Sequence, residues 1–102
     1  MRWMLAPIAA IALAASPAAA KERLFVLTDI GNEPDDQMSL VRLLLYANEI
    51  DIEGLVATTS TWQRAKTSPE IIQQVVAAYG KVQPNLLLHA KGWPSEAELV
   101  AR

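Results

Sequence analysis

Leu24-Phe25-Val26-Leu27 is an unbroken apolar run, the pattern of a short strand covered on both faces. Thr28 to Asp36 follows as a polar turn containing Gly31, Asn32 and Pro34. From Asp35 to Glu49 there is no glycine or proline. Met38, Val41, Leu44 and Leu45 recur there at helical spacing, and Leu40 and Leu43 widen the apolar face. Asp51 to Thr59 reads as a second strand through Ile52, Leu55, Val56 and Ala57, despite Gly54. Ser68-Pro69-Glu70 is a helix start, with serine at the N-cap, proline at the first helical position and an acid in the first turn. That helix runs through Ile71, Ile72, Val75, Val76 and Tyr79 and is expected to stop near Gly80. Leu86-Leu87-Leu88 predicts a short third strand, and Ser95-Glu96-Ala97-Glu98 is a capping box that opens a last helix. Met38, Tyr46 and Tyr79 are expected to pack within their helices.

Strands alternating with helices imply a parallel sheet with helices packed on its faces. The expected class is α/β, a Rossmann-like parallel sheet with flanking helices, present here as an incomplete N-terminal portion. Ligands of such sheets sit beyond the carboxyl ends of the strands. Chemistry is therefore expected at three polar segments, Thr28–Asp36, Thr58–Lys66 and His89–Trp93.

Composition changes this picture at the front of the chain. Of the 102 residues 52% are apolar, but many of these lie in Met1–Ala20. Arg2 supplies a positive charge there, Trp3 to Ala15 an apolar core, and Ala18 and Ala20 the small residues before Lys21. This is the layout of a signal peptide cleaved after Ala20. A membrane anchor needs about 20 apolar residues, and this core is shorter and interrupted by Pro7 and Pro17. The expectation is an exported protein, secreted or periplasmic, with no stable membrane insertion after cleavage. Lys21–Arg102 is expected to be the N-terminal part of a longer domain, because the last helix has barely begun at Arg102. Eleven acidic residues against nine basic ones give a net charge of −2, which argues against a nucleic-acid partner. With no cysteine, disulfides and thiolate metal sites are excluded.

The strongest candidate chemistry lies in the first turn, Thr28-Asp29-Ile30-Gly31-Asn32-Glu33-Pro34-Asp35-Asp36. Asp29, Glu33, Asp35 and Asp36 crowd together between a strand and a helix start, and like charges that close repel unless something positive sits among them. A hard divalent cation such as calcium, which accepts clustered aspartates, answers that repulsion. Helix capping is the competing account, since acids near a helix N-terminus gain about 0.3–1 kcal/mol each from the macrodipole. Capping explains Asp35 and Asp36 well, and Asp29 at the strand tip less well. The calcium-loop pattern fails at its glycine, and Leu27 leaves no Asp-x-Asp.

Val26–Ser60, VLTDIGNEPDDQMSLVRLLLYANEIDIEGLVATTS, resembles the nucleoside-hydrolase-like superfamily. It looks closest to a secreted branch of cellulose-binding-associated proteins with a nucleoside-hydrolase-like N-terminal domain. The resemblance is strong over Arg23 to Trp62 and looser to the end of the chain. It implies a calcium ion held in the turn, with Asp29 as a ligand and as the base that takes a proton from the attacking water. It implies Asp36 as the second aspartate ligand and Asp35 as the group that binds ribose hydroxyls. The family's leading aspartate is replaced here by Leu27, and the turn is longer through Asn32-Glu33-Pro34, so Glu33 is a further candidate ligand. The remaining ligands implied by the resemblance lie beyond this chain.

In the second segment the resemblance places a ribose-contacting loop, where this chain has Thr58-Thr59-Ser60-Thr61-Trp62. Ser60 and Trp62 are the substrate-binding candidates, Trp62 either stacking on a sugar face or packing as an interface or lid residue. Arg64 and Lys66 read as solvated loop charges, and His89 as a hydrogen-bonded structural residue. The expected function is hydrolysis of N-glycosidic bonds by an exported, metal-dependent protein acting on a nucleoside or carbohydrate. A carboxylate-activated water suits that bond, which breaks through an oxocarbenium-like state. The alternative is a non-catalytic carbohydrate-binding protein on the same fold, contacting sugar through Trp62 and Trp93.

Overall fold

The computed structural model describes residues 20–102, so the signal peptide expected at the front of the chain lies, apart from Ala20, outside the described residues. Five elements follow in order: β1 (Glu22–Thr28), α1 (Pro34–Leu45), β2 (Ile50–Ala57), α2 (Pro69–Leu86) and α3 (Glu96–Val100). β1 and β2 pair in parallel, from Glu22 opposite Ile50 to Thr28 opposite Ala57. The α/β class read from the alternating pattern is the class observed. Among the described residues no helix is long and apolar enough to cross a membrane.

The register slips between Leu24 and Phe25, where Ile52 and then Gly54 are their successive partners. Glu53 is the extra residue of a bulge. The Phe25 ring lies over Gly54, where a Cβ would displace it. The slip sets Leu24, Val26 and Thr28 on one face with Ile52, Leu55 and Ala57. That face meets the helices through a core of Ile30, Leu40, Leu44, Ala47, Ile52, Ile72, Val76, Tyr79 and Leu99.

The opposite face corrects the expectation of a strand covered on both sides. Phe25 is 61% exposed and Leu27 66%, with Val56 beside them, because the described helices pack on one face only. The same reason leaves Met38, Val41, Leu45 and Tyr46 exposed on or just after α1. Its buried line is Leu40 and Leu44, not the Met38-Val41-Leu45 stripe. Tyr79, by contrast, is buried as expected.

α2 differs most from its reading in sequence. It begins at Ser68-Pro69 as expected but continues past Gly80 to Leu86, so Leu86-Leu87-Leu88 is a helix end and not a strand. Gly80 serves close packing here rather than termination, since a Cβ at that position would collide with the Glu96 side chain of α3. Pro84 sits in the last turn, where it removes the bond its N–H would give to the Gly80 carbonyl. α3 opens on the expected capping box. The Ser95 hydroxyl accepts from the Glu98 amide at 3.1 Å, and the Glu98 carboxylate accepts from the Ser95 amide at 3.1 Å. The Ser95 amide first, and then the Ser95 hydroxyl, hold the Glu98 carboxyl below the usual carboxylate range.

The end of α2 also relocates the third candidate segment. The Trp93 indole donates to the Leu45 carbonyl at 3.1 Å, and the Gln83 amide donates to the Trp93 carbonyl at 3.1 Å. The Tyr79 hydroxyl donates to the Pro94 carbonyl at 2.6 Å. Trp93 thus fastens the carboxyl ends of α1 and α2, beside Lys21 and Ile50 at the start of the strands. It lies at the end of the sheet opposite the strand tips, and so does not share a sugar site with Trp62.

Candidate functional site

The parallel pairing brings the segments after β1 and β2 to the same end of the sheet. The Thr58 amide extends the ladder to the Thr28 carbonyl at 2.8 Å, and beyond it both chains turn away. After β1, Ile30 drops into the core with no exposed surface and anchors the turn from below. Gly31 then takes φ +105°, a left-handed backbone that favours glycine, and a Cβ there would press on the Ser68 side chain. The Asn32 amide closes the turn on the Asp29 carbonyl at 3.3 Å.

Two hydroxyls hold the two aspartates in this turn. The Thr28 hydroxyl donates to Asp36 Oδ2 at 2.6 Å and accepts from the Ile30 amide at 3.1 Å, tying the tip of β1 to the first turn of α1. The Ser60 hydroxyl donates to Asp29 Oδ2 at 2.7 Å and accepts from the amides of Trp62 and Gln63, both at 3.1 Å. A hydroxyl offers one donor and two acceptor positions, so that of Ser60 is fully engaged. The Ser60 hydroxyl first, and then a side-chain hydrogen bond with Asp36, hold the Asp29 carboxyl below the usual carboxylate range, against a smaller opposing effect of burial. Asp29 is therefore ionised at neutral pH, beside a second carboxyl.

The other candidates stand apart from this pair. Asp35 is exposed in the first turn of α1. Glu33 occupies the N-cap position without a side-chain capping bond. Among the described residues no three His, Asp or Glu side chains are gathered so as to hold an ion, and Glu33 does not join Asp29 and Asp36. The pair suits a hard cation in kind, being all oxygen, and in number supplies two of the about six to eight ligands that calcium takes. Trp62 is 80% exposed, with its backbone amide fixed by Ser60. A cleft of about 240 Å³ opens between β1 and α1, lined by Thr28, Asp36 and Ser39 with Val26, Leu40 and Leu43.

Gln63 was not legible as part of this site. Its side-chain amide donates to the Asp29 carbonyl at 3.1 Å and to the Ile30 carbonyl at 3.3 Å. No local pattern announces bonds between a side chain and carbonyls more than thirty positions away. The only hint in the sequence is its place three residues after Ser60, within an ordinary loop turn.

Comparison with known proteins places residues 23–102 in a match to the family model of the cellulose-binding Sde182, nucleoside hydrolase-like domain. A solved structure of a nucleoside hydrolase-related hypothetical protein from Saccharophagus degradans, associated with carbohydrate metabolism, is similar to the chain at 39% identity and a TM-score of 0.77. The match covers 80% of this chain and 20% of that one, so the chain spans about a fifth of its neighbour's length. No curated protein matches the chain.

Proposed function

The chain belongs to the family of the cellulose-binding Sde182, nucleoside hydrolase-like domain, and from that premise we propose that it serves an exported, metal-dependent hydrolase of N-glycosidic bonds. The observation that carries this reading is the Asp29 carboxylate, held ionised by the Ser60 hydroxyl at 2.7 Å beside Asp36 at the strand tips. Its substrate is a nucleoside or a related carbohydrate, bound beyond the carboxyl ends of β1 and β2. The protein works outside the cytoplasm, secreted or periplasmic, where carbohydrate ligands of this kind are met.

Asp29 and Asp36 are the residues that would hold calcium, with further oxygens supplied from outside this chain. A bound cation would lower the pKa of a coordinated water and fix it in place. The roles of the chain's own groups follow from their positions. Asp29, ionised, would accept a proton from water as its oxygen adds to the anomeric carbon, while the N-glycosidic bond breaks and the departing base keeps the bonding pair and takes a proton from solvent. Thr28 keeps Asp36 turned towards the same tip. Exposed Asp35 is free to accept hydrogen bonds from sugar hydroxyls, and Trp62 offers an indole face for stacking on the ring. Ser60 acts through Asp29, because its hydroxyl has no bond left to give a substrate.

A second reading, carbohydrate binding without catalysis, is favoured by one observation. Only two carboxylates are gathered among the described residues, while Trp62 stands ready as a sugar platform. Incubation of the protein with nucleosides and calcium separates the two. Release of free base supports hydrolysis, and saturable binding of oligosaccharide with no release supports the binding protein.

A further inference from the structure

We propose that Gln63 is the positioning residue of the Asp29 carboxylate, fastening the loop after β2 to the tip of β1. This rests on the reading of Asp29 as the functional carboxylate. Ser60 and Gln63 exchange backbone hydrogen bonds, from the Ser60 amide to the Gln63 carbonyl at 2.9 Å and from the Gln63 amide to the Ser60 carbonyl at 3.2 Å. The two residues therefore move as one unit. From that unit two arms reach β1. The Gln63 amide nitrogen spans the consecutive carbonyls of Asp29 and Ile30, and the Ser60 hydroxyl takes the Asp29 carboxylate. The backbone and the side chain of Asp29 are thus held by the same four-residue turn.

The chemistry of the carboxamide explains why glutamine suits this place. It carries two N–H donors and no charge, so it satisfies two carbonyls past the end of the sheet ladder without drawing the neighbouring Asp29 carboxylate into an ion pair. Asparagine is one methylene shorter. Ile30, locked in the core, fixes the second carbonyl as the reference against which the loop is set. Gln63 touches no substrate in this scheme. It sets where Ser60 stands, and Ser60 sets Asp29.

The test uses the full chain and its Gln63→Met, Gln63→Asn and Ser60→Ala variants. The readout is the carbon-13 resonance of the Asp29 carboxyl at fixed neutral pH, which reports the hydrogen bond it accepts. Ser60→Ala defines the displacement that follows loss of the hydroxyl. Gln63→Met is expected to displace the resonance in the same direction, and Gln63→Asn to do likewise because its amide falls short. Calcium affinity, measured by calorimetry, is expected to fall about 10–100-fold in Gln63→Met, the usual effect of losing a group that orients a ligand. An Asp29 resonance unmoved in both Gln63 variants, but displaced in Ser60→Ala, overturns the proposal even if their melting temperatures fall. Displacement in a protein that shows no calcium heat upholds the role of Gln63 and instead removes the ion from the functional reading.

Discussion

Ser60 Oγ stands 2.7 Å from Asp29 Oδ2 and donates its proton to it across 31 positions of sequence. The contact joins the loops after two adjacent parallel strands, so it forms only when the sheet does. A hydrogen bond to the charged form of a carboxyl lowers its pKa, and the ionised state then survives to lower pH. Ligand or calcium binding that needs an ionised Asp29 is therefore expected to persist as acid is added and to fail only below the usual aspartate range. In Ser60→Ala the acid limb of binding should move to higher pH. Calorimetric affinities across about pH 3 to 7 check this, and superimposable limbs for the two proteins would refute it.

Trp62, proposed as a sugar contact, is expected to bear on ligand and not on folding. It is 80% exposed, and its backbone amide, which the substitution keeps, makes its bond to Ser60. Trp62→Ala is expected to change stability by less than about 0.5 kcal/mol. Sugar binding should weaken by about 1 kcal/mol, roughly fivefold. Paired denaturation and oligosaccharide-binding curves check both halves.

Gly31→Ala should destabilise the turn that carries Asp29. The residue sits at φ +105°, and its added Cβ would meet the Ser68 hydroxyl. Strain of that kind amounts to about 1–3 kcal/mol. The expected outcome is a lower denaturation midpoint, read by circular dichroism in urea.

Tyr79 makes stability sensitive to alkali. Burial, and then the charge of Glu98, raise its phenol to about 12 from the ordinary value of 10.0. A group whose pKa is raised by folding stabilises fully below the unfolded value and loses that contribution as pH climbs through the folded one. Stability is therefore expected to decline between pH 10.0 and about 12 through this residue. Tyr79→Phe should flatten that part of the profile, while lowering stability at neutral pH by about 1 kcal/mol through the lost bond to Pro94. Urea midpoints at stepped pH test the slope.

The parts of the fold that were legible are those fixed by neighbours in sequence. Both strands, the Ser68-Pro69 helix start and the Ser95 capping box follow from local apolar runs and turn chemistry, and the structure has them. What was not legible depends on distant partners. Gly80 looks like a stop signal until α3 lies against it. The apolar face of α1 is wider in sequence than the line of contacts that Leu40 and Leu44 make. In the site, the crowding of Asp29 and Asp36 could be read directly, whereas the hydrogen bonds of Ser60 and Gln63 to Asp29 form only across the parallel pairing, and that of Thr28 to Asp36 only where the turn folds α1 back on the strand tip. Glu33, drawn in by its charge and spacing, is not gathered with the pair.

The central claim is that Asp29 and Asp36 together grip a divalent cation where a sugar binds. Calorimetric titration of calcium into the protein, beside its Asp29→Ala/Asp36→Ala variant, addresses it most directly. Saturable heat in the first and none in the second is the predicted result. Identical heats in both would contradict the claim.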